Sequence, residues 1–202
     1  MYIMNSLYYL ASYLRIIPKK AYSAAYNYYC GVENPPTERM ERIPKYHSLL
    51  NHVSSLYLEP TEIVPGLYLG NAYNASNYLT LKYYNINHII NVSAELANVF
   101  PDIYNYLQIP IKDDNQHHIY EYIPEIIEFL DAIEIGQENG VLVHCYMGSS
   151  RSASVVLLYL IHKYQFSYEH ALQLIKNKRP IVNINTNFLE DIRAYFDEDA
   201  RI

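Results

Sequence analysis

In this 202-residue chain, Cys145 and Arg151 are separated by five residues, and a thiol and a guanidinium at this spacing could act together on one anion. A short apolar run, Val141–Val143, precedes them behind Gly140, and a helix that is apolar on nearly all sides is predicted from about Ser150. The pattern therefore predicts a buried strand, a tight loop and a buried helix. A loop that opens into a helix N-terminus directs backbone N–H groups and the helix dipole at one point, which suits an anion the size of phosphate.

The same loop could also activate the cysteine. Arg151 carries a planar and permanently charged fork that can hold two phosphate oxygens. Cys145 enters the same positive field at the end of the strand, and this field favours its thiolate. A thiolate held beneath a bound phosphorus atom is placed to attack it. In the alternative interpretation, Cys145 is a buried core thiol beside an arginine that pairs elsewhere.

The run His144-Cys145, five residues, then Arg151-Ser152 resembles the signature of the cysteine-dependent protein phosphatases, and its context resembles their dual-specificity branch. The resemblance extends over about two thirds of the chain. It departs at Ile184, where that family usually has a proline. The further stretches that carry it are Gly66-Leu67-Tyr68-Leu69-Gly70, Ile89-Ile90-Asn91-Val92-Ser93, Ile109-Pro110-Ile111, and Arg179-Pro180 with Asn185 and Phe188.

The resemblance implies a role for each residue of the loop. Cys145 would be the nucleophile, and Arg151 would bind the phosphate oxygens. His144 would help to orient the loop, with a purely structural buried histidine as the alternative, and Ser152 would ease departure of the thiol from phosphorus. The residues that would bind phosphate are Tyr146, Met147, Gly148, Ser149, Ser150 and Arg151.

A carboxyl group is also needed, because the leaving group must gain a proton and a water must later lose one. Asp113 and Asp114 follow the predicted strand Leu107–Ile111, and parallel strands end at one edge of a sheet, so this loop can overhang Cys145. The resemblance implies Asp113, since the family places its acid directly after a phrase like Ile109–Lys112. Asp114 is the alternative, and in a third interpretation both are solvated loop acids.

The alternation of strands and helices predicts an α/β fold, with a mainly parallel central sheet of about five strands flanked by helices. The resemblance implies a dual-specificity phosphatase-like arrangement. The strands are predicted within Glu62–Gly70 and at His88–Val92, Leu107–Ile111 and Val141–Val143, and the helices at Ala75–Tyr84, Tyr120–Ile135, from Ser150, at Tyr168–Asn177 and at Thr186–Phe196.

Three regions are expected: an N-terminal helical extension with a linker (1–61), the catalytic domain (62–196) and a short acidic C-terminal tail (197–202). In the extension, apolar residues recur on one helix face that Pro18 ends, namely Ile3, Leu7, Leu10, Leu14 and Ile17. This stripe is too short and polar to span a bilayer. It could dock on the catalytic domain, pair with a second copy or lie on a membrane surface.

The composition limits which cellular compartment and which binding partners we expect. A net charge of −6 without a long basic run argues against a surface built for nucleic acid. The two cysteines, Cys30 and Cys145, leave no structural disulfide if one is a nucleophile, which favours a cytoplasmic or otherwise intracellular setting. The implied chemistry needs no metal and no other cofactor.

The resemblance implies a protein phosphatase that acts on phosphotyrosine and on phosphoserine or phosphothreonine through a cysteinyl-phosphate. Relatives that act on inositol phospholipids or RNA 5′-triphosphates tend to add basic residues to the loop, and Tyr146–Ser150 contains none. A phosphorylated protein is therefore the expected substrate. The alternatives are a catalytically weak scaffold that binds phosphoproteins, and an RNA 5′-phosphatase.

Overall fold

The computed structural model describes residues 57–199, and five segments of this region form one mixed sheet. They are β1 (Thr61–Val64), β2 (Leu67–Gly70), β3 (Ile86–Asn91), β4 (Asn105–Gln108) and β5 (Gly140–His144). Their order across the sheet is β1-β2-β5-β3-β4. Strand β1 runs antiparallel to β2, and all the other neighbours are parallel. The prediction of a mainly parallel sheet of about five strands is confirmed.

Helices cover both faces of this sheet. In chain order they are α1 (Ala72–Ser76), α2 (Tyr78–Tyr83), α3 (Ile123–Asp131), α4 (Arg151–Tyr164), α5 (Tyr168–Lys178) and α6 (Thr186–Asp199), with a 3₁₀ turn at Tyr120–Tyr122.

The central strands send alternate side chains into two separate cores, as the two-residue period of a strand requires. In β5, Val141 and Val143 join the larger core, to which α3, α4, α5 and α6 contribute, whereas Leu142 joins a smaller core with α1 and α2. Ile90 and Ile89 of β3 divide in the same way. Both faces of the central strand β5 are thus buried, which explains its continuous apolar run Val141–Val143.

Strand β5 lies third of the five, so the loop that follows it leaves the middle of the sheet edge. The helix that follows the loop, α4, is buried over its first ten residues, Arg151–Leu160. The prediction of an interior helix is confirmed. A loop fixed between a central strand and a buried helix is held rigidly at both ends.

Three predicted elements differ most from those observed. The single helix predicted at Ala75–Tyr84 is wrong: Asn77 adopts an extended backbone, ends α1 and caps α2 by accepting a hydrogen bond from Thr80 N–H. The strand predicted at Leu107–Ile111 ends at Gln108, because Pro110 has no N–H for the ladder.

The third difference concerns the predicted helix Tyr120–Ile135. It begins as the 3₁₀ turn and becomes α-helical only from Ile123, with Pro124 in the first turn, where its missing N–H costs no hydrogen bond. It ends at Asp131, four residues earlier than predicted.

The predicted N-terminal helical extension up to residue 56, with its apolar stripe at residues 3–17, lies outside the described residues, and so do residues 200–202 of the predicted tail. Residues 197–199 of that tail belong to α6. Their roles stay predictions. Of the helices that the structure does describe, none combines the length and the hydropathy that a membrane span requires.

Candidate active site

Cys145 is the first residue after β5, and its sulfur is enclosed. The residue is 2% exposed, and Sγ accepts hydrogen bonds from Gly148 N–H (3.3 Å) and from the Ser152 hydroxyl (3.2 Å). One donor comes from the loop and the other from the first turn of α4. Hydrogen bonds of this kind stabilise a negative charge on sulfur, whether in a free thiolate or in a departing one.

The loop 145–150, which we call the cradle, is held from outside by its carbonyl groups. Three of these accept hydrogen bonds from neighbouring segments, two of them from backbone N–H groups. The pairs, carbonyl first, are Tyr146 with Ala72 N–H (3.3 Å), Gly148 with Arg179 Nε (2.9 Å) and Ser149 with Asn183 N–H (2.9 Å). The His144 carbonyl, directly before the cradle, accepts from Val92 N–H (2.8 Å).

A trans peptide is planar, so its N–H points away from its C=O. Because these three carbonyl groups bind outward, the N–H groups of the following residues, Met147, Ser149 and Ser150, are directed toward the interior of the cradle. Converging N–H groups at a helix N-terminus form an anion site. The expected phosphate cradle therefore has the donors that it needs.

Gly148 is the position of the cradle that demands glycine. Its φ is +71°, and an added Cβ would lie 2.5 Å from the Gly70 carbonyl oxygen. Only glycine combines this left-handed backbone with so close an approach. The two flanking side chains, Met147 and Ser149, are half-buried, and Tyr146 is 38% exposed at the rim.

Arg151 is buried at the start of α4 and forms a two-pronged ion pair with Glu95. Nη1 and Nη2 each donate to one carboxylate oxygen of Glu95 (2.8 and 2.7 Å), and Nη1 also donates to the Ile111 carbonyl (3.2 Å). Nε–H has no partner, although it is buried. The Nε edge of the guanidinium, which also includes the second N–H of Nη2, is thus available to a bidentate phosphate.

The ion pair also sets the charge of both partners. Burial lowers the pKa of Arg151, but hydrogen bonds to Glu95 and the nearby Cys145 outweigh this effect, so the pKa is raised. Burial likewise raises the pKa of Glu95, and its hydrogen bond from Arg151 reverses the shift, so its pKa is lowered. Both groups are therefore charged at neutral pH.

Glu95 is a functional candidate that none of the sequence motifs indicates. It lies in the loop after β3, which is organised by two buried polar residues. Ser93 donates to Asn91 Oδ1 (2.8 Å) and accepts from Leu96 N–H (3.2 Å), while Asn91 donates to the Leu96 carbonyl (2.9 Å). The available signal was an acid shortly after a parallel strand, at the edge where β5 also ends.

The two candidate acids have different surroundings. Asp113 Oδ1 accepts a hydrogen bond from the hydroxyl of Ser150, in the cradle, at 2.8 Å. Asp114 Oδ1 instead contacts its own loop, where it accepts from the N–H groups of Gln116 (2.9 Å) and His117 (3.1 Å) and lies 2.7 Å from His117 Nδ1. The contact with His117 lowers the pKa of Asp114. Asp113 is the acid that the fold brings to the cradle.

His144 ends β5 and is almost completely buried. Burial lowers its pKa to about 4, a shift that its hydrogen bond with the Cys145 backbone only partly offsets and to which the Arg151 charge adds. The imidazole is neutral at neutral pH, so it can act on the cradle through hydrogen bonding but not through charge. Its Nδ1 has no partner in the structure.

The segment 179–185, which we call the closing segment, holds the cradle and the acid loop together. Asn185 N–H donates to the Ser150 hydroxyl (3.1 Å), and its side-chain amide donates to the Asp114 carbonyl (3.0 Å). Ser150 therefore joins Asp113 to Asn185. In the sequence, Asn185 belongs to a stretch that resembles a family motif, and its role becomes visible only in this contact.

Comparison with known proteins agrees with this geometry. Residues 67–198 match the family model described as dual specificity phosphatase, catalytic domain. A Slingshot homolog, a protein phosphatase from Xenopus laevis, is 39% identical over 136 residues, which cover 67% of this chain and 20% of that protein. Dual specificity protein phosphatase 1 of Arabidopsis thaliana is 37% identical over 134 residues, which cover 66% of this chain and 67% of the relative.

Solved structures share the fold. The crystal structure of DUSP15 matches with a TM-score of 0.63 and 30% identity, over 68% of this chain and 87% of that one. A human tyrosine phosphatase-like serine/threonine/tyrosine-interacting protein matches with a TM-score of 0.65 and 29% identity, over 71% of this chain and 99% of that one. The chain spans about a fifth of the length of the Xenopus relative and two thirds of the Arabidopsis one.

Proposed function

Since the chain belongs to the dual specificity phosphatase family, we propose that it is a protein phosphatase that hydrolyses phosphotyrosine and phosphoserine or phosphothreonine. One observation carries the proposal. The buried Cys145 sulfur, the unpaired Nε edge of Arg151 and the Asp113 carboxylate all converge on one cradle of N–H groups.

The first chemical step transfers the phosphoryl group to sulfur. The Cys145 thiolate attacks phosphorus while the phosphorus–oxygen bond to the substrate breaks, and Asp113 gives its proton to the departing oxygen. The cradle N–H groups and Arg151 stabilise the charge on the equatorial phosphate oxygens. The products of this step are a cysteinyl-phosphate, the dephosphorylated side chain and an ionised Asp113.

The second step releases phosphate. Asp113, now a carboxylate, takes a proton from a water molecule as the water oxygen attacks phosphorus. The phosphorus–sulfur bond breaks, and the sulfur leaves as a thiolate that accepts hydrogen bonds from Gly148 N–H and the Ser152 hydroxyl. Inorganic phosphate departs, and both side chains return to their starting protonation states.

A single phosphate on a protein side chain fits the cradle better than a polyphosphate does. The cradle positions Tyr146–Ser150 carry no Lys or Arg, so no extra cation projects from them toward a second phosphate. This composition supports a phosphoprotein substrate over a triphosphorylated RNA end. Thiolate chemistry also works best where thiols stay reduced, which supports an intracellular location.

A binding scaffold is the competing function, since one structural neighbour is described only as phosphatase-like and interacting. A scaffold needs a phosphate cradle but needs neither a nucleophile nor an acid. Cys145 and Asp113 are both present here, and Asp113 contacts the cradle through Ser150. Retention of both groups favours hydrolysis.

The test of the proposal is Cys145→Ser, with Cys30→Ser as the matched cysteine control. Turnover of p-nitrophenyl phosphate and of a phosphopeptide should fall at least about a thousandfold in Cys145→Ser, because removing a nucleophile leaves only binding and charge stabilisation. Cys30→Ser should retain the turnover of the unaltered protein. Turnover that survives Cys145→Ser, or an unaltered protein that binds phosphopeptide without releasing phosphate, would contradict the proposal.

A further inference from the structure

Arg179, in the closing segment, is completely buried beside the cradle, and the steps proposed above do not use it. Its exposed fraction is 0%. Nε donates to the Gly148 carbonyl (2.9 Å) and Nη1 to the Thr61 hydroxyl (2.9 Å). Among the residues that the structure describes, no carboxylate forms an ion pair with Arg179.

Such an arginine is costly to bury. A guanidinium without a carboxylate partner loses its hydration, and here Nη2 has no hydrogen-bond partner at all. Burial lowers the pKa of Arg179 to about 10, while the neighbouring Cys145 and Tyr57 partly offset this shift. The group is therefore still protonated at neutral pH. A negative charge nearby would stabilise this buried cation, and the cradle is the expected binding site for an anion.

The contact with Gly148 also fixes a peptide plane of the cradle. The Gly148 carbonyl belongs to the same peptide as the Ser149 N–H, and the two groups point in opposite directions. An Arg179 that binds the carbonyl from outside thereby directs the Ser149 N–H inward. The approach is close, because a Cβ added to Gly148 would lie 2.8 Å from Nη2 of Arg179.

We propose that Arg179 is a positioning residue of the cradle, which aims the Ser149 N–H at the bound phosphate and places a positive charge beside the Cys145 sulfur. The proposal rests on the proposed function only in that it takes the cradle to be a phosphate site. Arg179 touches neither phosphate nor the reacting atoms. It acts through the Gly148–Ser149 peptide and through its charge.

The experiment measures alkylation of Cys145, which needs no turnover. Iodoacetate is anionic and iodoacetamide is neutral, so the ratio of their rates at Cys145 reports the local positive potential. The concentration of inorganic phosphate that halves the iodoacetamide rate reports phosphate binding. Mass spectrometry of the Cys145 peptide separates this signal from that of Cys30.

The variants are Arg179→Met, which removes both the charge and the hydrogen bond to the Gly148 carbonyl, and Arg179→Lys, which keeps the charge without the planar guanidinium. Arg193→Met is the matched control, since Arg193 is exposed on α6 and lies over the Tyr168 ring (4.1 Å). Circular dichroism and thermal unfolding establish that each variant is folded at the assay temperature.

In Arg179→Met, the half-protecting phosphate concentration should rise about tenfold, because an N–H donor to an anion and a nearby charge are lost together, and the iodoacetate-to-iodoacetamide ratio should fall several-fold. Arg179→Lys should restore the ratio but only part of the phosphate affinity. Arg193→Met should change neither quantity.

A folded Arg179→Met with unchanged phosphate protection and an unchanged ratio would overturn the proposal. If Arg179→Met does not fold, Arg179→Lys decides, and its unchanged phosphate protection would overturn the proposal equally. Both readouts are independent of catalysis. A protein that binds phosphate without hydrolysing it would refute the proposed function and still test Arg179.

Discussion

Asp113 and Asp114 are adjacent acids that the chain directs to different partners. Asp113 contacts Ser150 of the cradle, whereas Asp114 is engaged by the backbone and the imidazole of its own loop. Only an acid that faces the bound phosphate can give a proton to the leaving oxygen. The geometry of this residue pair therefore supports one assignment over the other.

Asp113→Ala should lower kcat about 10²- to 10⁴-fold, the usual contribution of a general acid. The loss should be smaller with a good leaving group such as p-nitrophenol than with an alkyl phosphate, because a good leaving group needs less protonation. Stopped assays on both esters measure the difference. Asp114→Ala is the matched control and should keep near-normal rates, and the reverse ranking of the two variants would move the acid by one position.

The fold brings four elements to the cradle, and each holds it by a specific group. Strand β5 and helix α4 fix its two ends, the start of α1 binds the Tyr146 carbonyl, and the closing segment binds Gly148 and Ser149. The conformation of the cradle is thus fixed by contacts within the protein. A preformed set of donors binds an anion without the cost of ordering the loop.

Gly148→Ala should destabilise the protein and damage the cradle together. The new methyl group would meet the Gly70 carbonyl at 2.5 Å in a backbone conformation with φ of +71°, at a cost of about 1 to 3 kcal/mol. The midpoint temperature of thermal unfolding and the rate of aryl phosphate turnover should both fall.

Gly136→Ala is the control for Gly148→Ala. A Cβ at Gly136 meets nothing within 4 Å, and its φ is not positive. It should leave turnover unchanged and change stability little. Equal effects of the two substitutions would show that the tight approach of Gly148 to Gly70 is unimportant for the cradle.

At the scale of the whole molecule, the buried His144 ties stability to pH. Its pKa is lowered from 6.5 to about 4 in the folded state. Between these values the unfolded chain binds a proton that the folded protein excludes. The contribution of the neutral, buried His144 to the free energy of unfolding is therefore complete above pH 6.5 and is lost as the pH falls toward 4.

The free energy of unfolding should fall by about 2 to 3 kcal/mol between pH 7 and pH 4.5 on account of His144 alone. Urea unfolding at several pH values in this range measures the slope of the free energy of unfolding against pH. His144→Gln should flatten it by this amount. A slope that is the same in the unaltered protein and in His144→Gln would contradict the shift.

The sequence determined the central part of the molecule because local rules govern it. Apolar runs and a fully apolar helix can be buried in only a few ways, so β5, the loop and α4 were predicted in their correct order and the parallel sheet followed. The spacing of Cys145 and Arg151 needed no tertiary information. Element ends were harder to predict: Asn77 and Pro110 moved them through capping and a missing N–H, which compete with hydrophobic periodicity.

Which side chains contact one another depends on the folded chain. Glu95 on Arg151, Arg179 on Gly148 and Asn185 on Ser150 are contacts between residues that lie 31 to 56 positions apart. Nothing local in the sequence encodes such pairs, because they arise only when separate strand ends and a closing segment converge on one edge of the sheet. The reactive residues were thus readable from the chain, while the groups that aim them depended on the fold.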